Sequence, residues 1–266
     1  VRVRFVLAIV AACVVAAWSC APAGAAKAEE VKVERQARPE VVDASVPATE
    51  GMPVHLTLKM SDVEEPGRGL FVVPWYGDNP ENHASYFKNT VFQAGPFVLQ
   101  VAASSQKVEG QKGAFCWTDR DMALREISDA WDQAARFGIP SEGWIAFGSS
   151  QGAAPLLELV LSGRIQAKGV IVAVPYLADK PEPYWSRSIE DFIAYAAAGK
   201  AALGTRFVFV TGASDDFAAN DRRLAEALEA KGYATLVIET TGGHAEILAK
   251  AANAKFAEAL AFIEKE

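Results

Sequence analysis

Cysteine and histidine are scarce: the 266-residue chain has three of each. That is too few for a disulfide framework or a Cys/His-rich metal site. Basic residues are also in deficit, 26 against 33 acidic, and a formal charge of −7 provides no basic footprint for nucleic acid. The N-terminal apolar run, Phe5–Trp18, covers 14 residues, short of the roughly 20 that span a bilayer. Internal repeats and long low-complexity tracts are lacking as well. The remainder, 51% hydrophobic and 22% charged with 20 Gly and 13 Pro, is ordinary globular composition and excludes disordered, collagenous and polytopic membrane classes.

Arg2 and Arg4 precede the apolar run, and Ala23-Gly24-Ala25-Ala26 follows it. A positive start, a short apolar stretch and a small-residue cleavage site read as a secretory signal over residues 1–25. Export to the periplasm or the medium is expected, with lipid attachment at Cys20 as the alternative. No membrane span is expected after signal removal. Losing residues 1–25 removes two Arg and no acid, taking the formal charge from −7 to −9. It also leaves Cys116 as the lone thiol, so stability must come from the core. Residues 26–50 read as a linker or poorly ordered arm. Residues 51–266 read as a single domain, long enough to bury a core.

In that domain strand and helix patterns alternate. Val54–Met60 alternates apolar and polar residues and predicts a half-buried strand. Leu70–Val73, Phe97–Ala102, Trp144–Phe147, Gly169–Val174, Arg206–Thr211 and Thr235–Glu239 read as further strands, several as the continuous apolar runs of strands covered on both faces. Helices are predicted at Asn82–Ala94, Thr118–Phe137, Gln151–Leu161, Ile189–Ala198, Asp221–Lys231 and Ala245–Glu264. Thr118 with Asp121 resembles a capping box, and Ala123, Ile127, Ala130, Trp131 and Ala134 form one apolar stripe. The alternation implies an α/β class: a mostly parallel twisted sheet with helices on both faces. Ligands bind such sheets beyond the carboxyl ends of the strands.

Three of those strand ends carry groups suited to acyl transfer. Gly148-Ser149-Ser150-Gln151-Gly152 fits Gly-x-Ser-x-Gly between a strand and a helix, the sharp turn that exposes a nucleophilic serine hydroxyl. The Gln151 amide, at a helix start, can face a developing oxyanion. Ser150 needs a base. His55 falls on a strand and reads as structural or exposed; His83 falls near a helix start and reads as a cap or surface residue. His244 follows the last strand, at the sheet edge of Ser150. The imidazole needs a carboxylate, and Asp215 and Asp216 follow Arg206–Thr211. Adjacent side chains diverge, so one should reach His244; Asp215 is favoured, with Asp216 as the alternative. Cys116 is a weaker nucleophile candidate because the Ser150 setting explains the chemistry better.

The order Ser150, Asp215, His244 is that of α/β-hydrolases, and the chain from about Val54 onward resembles that superfamily. It is most similar to the phospholipase/carboxylesterase group. Gly148 to Gly152 resembles that group's Gly-Phe-Ser-Gln-Gly elbow, and Tyr76-Gly77-Asp78-Asn79 the end of its His-Gly-x-Gly-Asp turn. Gly212 to Asp215 matches its acid loop, and Gly243-His244 its Gly-His pair. Pro74-Trp75 departs from the usual His-Gly. The resemblance implies an α/β-hydrolase fold and an oxyanion hole of the Tyr76 and Gln151 amides.

It also implies a serine esterase acting on a small-molecule ester through a Ser-His-Asp triad and an acyl-enzyme, needing no metal or organic cofactor. The alternatives are a thioesterase or peptidase on the same scaffold, or a non-catalytic binding protein that kept the fold. The segment Pro175 to Trp185 follows the strand ending near Val174 and could cover the acyl site. Tyr176, Tyr184 and Trp185, with Trp75 from the oxyanion turn, are candidate pocket walls, loop packing being the other reading.

Overall fold

The computed structural model describes residues 52–59, 67–93, 98–244 and 255–265, all within the compact unit Ala37–Glu266. The expected signal (1–25) and linker (26–50) lie outside the described residues, as do positions 245–254.

Two layers of apolar side chains sandwich the sheet because the strands alternate. In β2 (Gly69–Val73), Leu70 and Val72 point to one face while Phe71 and Val73 point to the other, and all four are fully buried. Successive strand residues face opposite ways, so a run with no polar residue needs cover on both sides. Helices α1 (Pro80–Gln93) and α6 (Phe256–Glu264) supply one cover through Ala84, Phe87, Phe256, Leu260 and Ile263. The other comes from α2 (Arg120–Ala135), α3 (Ala153–Leu161), α4 (Ile189–Ala198) and α5 (Ala218–Lys231), through Ile127, Leu157, Phe192 and Leu224 among others. All nine residues of α3 are buried, consistent with its almost wholly apolar sequence.

The remaining strands are β1 (Leu56–Lys59), β3 (Val98–Val101), β4 (Trp144–Ser149), β5 (Gly169–Ala173), β6 (Arg206–Gly212) and β7 (Ala234–Thr240). The described sheet runs β1-β3-β2-β4-β5-β6-β7, with β1 antiparallel to β3 and every other pairing parallel. All the parallel strands therefore end at one edge. In register, Val73 pairs with Gly148, Ser149 with Ala173 and Gly212 with Thr240. That places the segments after β2, β4, β5, β6 and β7 side by side.

Four local expectations need correction. Helix α2 is capped by Asp119, whose side chain accepts the Met122 amide, and begins at Arg120; the Thr118/Asp121 box does not form. In β1 the polar residues are the more deeply buried: His55 and Thr57 are covered, whereas Leu56 and Leu58 are only half-buried. Thr57 donates to Gln100 and His55 meets Asp129, so satisfied polar groups replace an apolar face there. His83, read as a cap or surface residue, is instead 0% accessible, whereas His55, at 5%, takes the structural one of its two readings. The helix expected at Gln151 opens instead with a 3-10 turn over Ser150–Gly152, and α3 proper starts at Ala153.

Candidate active site

Ser150 sits at the tip of a strained turn. Its φ is +49°, a left-handed conformation that non-glycine residues rarely hold. The Ser150 carbonyl accepts two amides, Ala153 from the 3-10 turn and Tyr176 at 3.0 Å, which fix the strained peptide. Gly152 is needed for a different reason: a Cβ there would lie 2.1 Å from the Pro74 carbonyl oxygen and 2.7 Å from that of Val73. The elbow thus packs its backbone directly on the end of β2, from which the next segment departs.

That segment is a tight turn. The Asp78 amide donates to the Trp75 carbonyl at 3.4 Å, and Gly77 takes φ +84° at the third position, where a type II turn requires positive φ. The Gly77 amide donates to the Phe115 carbonyl at 2.7 Å. The amides of Tyr76 and Gln151 find no acceptor among the described residues. Trp75, which stands where the resemblance would place glycine, turns its ring onto α1 instead of into the site. It meets His83 edge-to-face at 4.3 Å and Tyr86 at 5.0 Å.

Asp215 and His244 are brought together by the last two strands. Pairing of β6 with β7 continues past the sheet, with Ala213 donating to Thr240 and Ser214 to Gly242. The loops bearing Asp215 and His244 are therefore zipped side by side. His244 Nδ1 lies 2.8 Å from Asp215 Oδ2, and His244 Nε2 lies 2.7 Å from Ser150 Oγ. Asp215 Oδ1 accepts the Phe217 amide at 2.8 Å, so both carboxylate oxygens are engaged and the side chain is fully buried. Asp216 is exposed, on the rim of the same cavity, and makes no hydrogen bond to His244. Behind this loop Asp221 is fully buried, and desolvation, reinforced by the charge of Asp215, pushes its carboxyl well above the usual carboxylate range. Ser150, an imidazole and a carboxylate thus form one chain of hydrogen bonds across 94 residues of sequence.

No family model matches the chain, and no curated protein matches it either. Solved structures do. An uncharacterized protein from Bacillus cereus superposes with a TM-score of 0.59 at 20% identity, over 74% of this chain and 60% of that one. This chain therefore spans less than two thirds of that protein's length. A bacterial heroin esterase superposes with a TM-score of 0.55 at 17% identity, over 82% of this chain and 81% of that one. A thermophilic esterase from Thermogutta terrifontis gives 0.51 at 18%, over 77% and 83%. The chain has the α/β-hydrolase fold.

On this α/β-hydrolase scaffold a cavity of about 280 Å³ opens over Ser150, walled by Tyr76, Tyr176, Tyr184 and Phe217, with Asp216 and His244 at its side. The four rings form a continuous series: Tyr76 to Tyr184 at 5.6 Å, Tyr184 to Tyr176 at 5.7 Å, Tyr176 to Phe217 at 4.7 Å. The Tyr176 hydroxyl donates to Glu182, and desolvation together with that carboxylate pushes the phenol pKa up. Two expected walls are corrected. Trp185 is fully buried in the core under the segment, and Trp75 packs on α1. Cys116 and Trp117 are buried too and do not line the cavity.

Phe217 escaped the sequence reading, although it directly follows the acid loop. So did the side chain of Gln151, which accepts the Trp117 amide at 2.9 Å and donates to the Tyr184 carbonyl at 3.0 Å. A second cavity of about 300 Å³ lies at the opposite sheet edge, before β4, β5 and β6, and is lined by Ser141, Glu142, Lys168 and Thr205 among others, with no histidine. Among the described residues no cluster of three or more His, Cys, Asp or Glu could hold a metal ion, and no helix is long and apolar enough to cross a membrane.

Proposed function

We propose that the protein is a serine hydrolase that cleaves carboxylic esters through an acyl-enzyme. The observation that carries this reading is the hydrogen-bonded series Ser150–His244–Asp215 at a strained elbow. Structural neighbours that bear the name esterase support it at the level of fold.

In the first step Ser150 Oγ attacks the ester carbonyl carbon while His244 Nε2 takes the hydroxyl proton. Asp215 holds the Nδ1 proton of the ring and stabilises the imidazolium. The carbonyl oxygen becomes an oxyanion, received by the unengaged amides of Tyr76 and Gln151. Collapse breaks the bond to the leaving oxygen, and His244 returns its proton to the departing alcohol. A water molecule, deprotonated by His244, then attacks the acyl carbon; the bond from that carbon to Ser150 Oγ breaks, His244 returns its proton to Oγ, and the acid leaves. At about 280 Å³ the cavity sits at the small end of ligand sites, which suits compact acyl and alcohol groups.

The reading extends to location. Residues 1–25 act as an export signal, so the reaction takes place in the periplasm or outside the cell, unless Cys20 carries a lipid that keeps the enzyme on a membrane surface.

A fluorophosphonate probe tests the chemistry. Stoichiometric labelling is expected, absent in Ser150→Ala and strongly reduced in His244→Ala. Short aryl esters should turn over faster than long-chain esters, thioesters or amides. A folded wild-type protein that neither labels nor hydrolyses any of them would defeat the proposal in favour of a binding role.

A further inference from the structure

Behind the turn that carries the Tyr76 amide lies a second Asp–His pair. Asp78 Oδ2 is 2.7 Å from His83 Nδ1, at the close of the first turn of α1, and both residues are buried. The other Asp78 oxygen accepts the Asn79 amide at 2.9 Å. The Asp78 backbone closes the turn through its amide, and its carbonyl accepts the Phe115 amide at 3.1 Å. Trp75 presses its ring against His83. Each neighbour of Tyr76 is thus tied down: residue 75 by its ring, residue 77 by its amide, residue 78 by backbone and side chain together.

Stability alone does not account for this pair. His83 sits among Trp75, Tyr86, Phe87 and Phe147, an aromatic surrounding that suits an apolar side chain. Instead the fold buries a carboxylate and an imidazole whose Nε2 has no partner among the described residues. Both are costly to bury. His83 Nδ1 faces a carboxylate oxygen that can only accept, so the ring donates its Nδ1 proton to Asp78; desolvation lowers the His83 pKa despite that carboxylate. That donation links α1 to the turn at the residue two beyond the Tyr76 amide.

We propose that Asp78 and His83 are positioning residues for the oxyanion hole: His83 anchors Asp78 to α1, and Asp78 sets the plane of the turn that aims the Tyr76 N–H over Ser150. This rests on the esterase reading. It also explains why tryptophan is tolerated at position 75, since its ring belongs to the same brace.

The test compares wild type, His83→Ala and His83→Asn, with concentrations normalised to fluorophosphonate-titratable sites. His83→Asn keeps a side-chain N–H near the place of Nδ1. Three quantities are read: kcat and KM on a short aryl ester, and Ki for an aryl trifluoromethyl ketone, which adds Ser150 Oγ to form an oxyanion. His83→Ala is expected to lower kcat about tenfold or more, short of the 10²–10³ lost with a whole oxyanion donor. KM should stay within about twofold, and Ki should rise in parallel with the fall in kcat. His83→Asn should recover most of both losses.

A purely structural role would lower the titratable fraction and the melting temperature but leave kcat per site and Ki alone. That result would overturn the inference, as would a His83→Asn variant no better than His83→Ala. Wild-type protein inert to both ester and probe would instead sink the esterase reading, and this inference with it.

Discussion

At the scale of single residues, position matters more than identity among the acids. Asp215 and Asp216 are neighbours, yet one is locked to His244 and to the Phe217 amide and the other faces water. Asp215→Asn would keep the shape and disturb the ring's proton arrangement, so kcat on an aryl ester should fall about 10³–10⁴-fold. Asp216→Asn should change kcat by only a few-fold. The opposite ranking would reassign the acid. Sequence allowed either, because adjacency cannot say which side chain turns inward.

Histidine was harder to read. His55 accepts the Ala103 amide on Nδ1 at 3.0 Å and meets Asp129 through Nε2 at 3.2 Å, a partner 74 residues away that no local pattern announces. With Nδ1 already accepting, a second ring proton has no place, and desolvation lowers the pKa despite the Asp129 charge. His83 is lowered as well. A histidine whose folded pKa is depressed binds fewer protons than in the unfolded chain. Stability is therefore fully present above about pH 6.5 and declines as pH falls toward the folded values. Urea unfolding at pH 7.5 and 5.5 should show that loss, and His55→Gln, which keeps an acceptor, should show a shallower slope. An unchanged slope would remove His55 as a source.

Among secondary-structure elements, the parallel strands and their order along the chain were legible, since runs such as Leu70–Val73 and Gly169–Ala173 contain only residues that a doubly covered strand can take. Their spatial order, with β3 placed outside β2 and β1 reversed at the edge, was not, because pairing depends on contacts between distant segments. The end of α2 shows the same limit at short range. Thr118 and Asp119 are both competent caps, and only the backbone path selects Asp119. Asp119→Ala should therefore cost about 1 kcal/mol in chemical denaturation, whereas the loss of Thr118's hydroxyl should cost well under half of that. Equal losses would restore the original assignment.

For the whole molecule, stability resides in the two apolar layers. Arg164–Asp132, Arg222–Glu239 and Arg223–Glu190 have exposed side chains at both partners and Arg68–Glu264 is half-buried only at Glu264, and surface pairs of this kind contribute about 0–1 kcal/mol each. Phe209 is fully buried on the α2–α5 side of the sheet. Raising NaCl to about 1 M, where charges are screened beyond roughly 3 Å, should change the unfolding free energy by about 1 kcal/mol or less. Phe209→Ala should cost about 3–5 kcal/mol. A salt effect as large as the cavity effect would contradict this distribution. The site was more legible than the packing around it: Ser150, Asp215 and His244 lie directly after strands, where the topology gathers chemistry, whereas Trp185 looked like a wall and proved to be a foundation.

The side chain of Gln151 has a consequence for how the molecule selects what it takes. One amide group clasps the Trp117 backbone with its oxygen and the Tyr184 backbone with its nitrogen. The Tyr184 wall cannot swing aside without pulling on the residue that shares a peptide bond with Ser150. On the esterase reading proposed above, a larger guest would have to displace Tyr184 and with it the peptide that follows Ser150, so discrimination by bulk should be steep and loosening that wall should slow turnover as well.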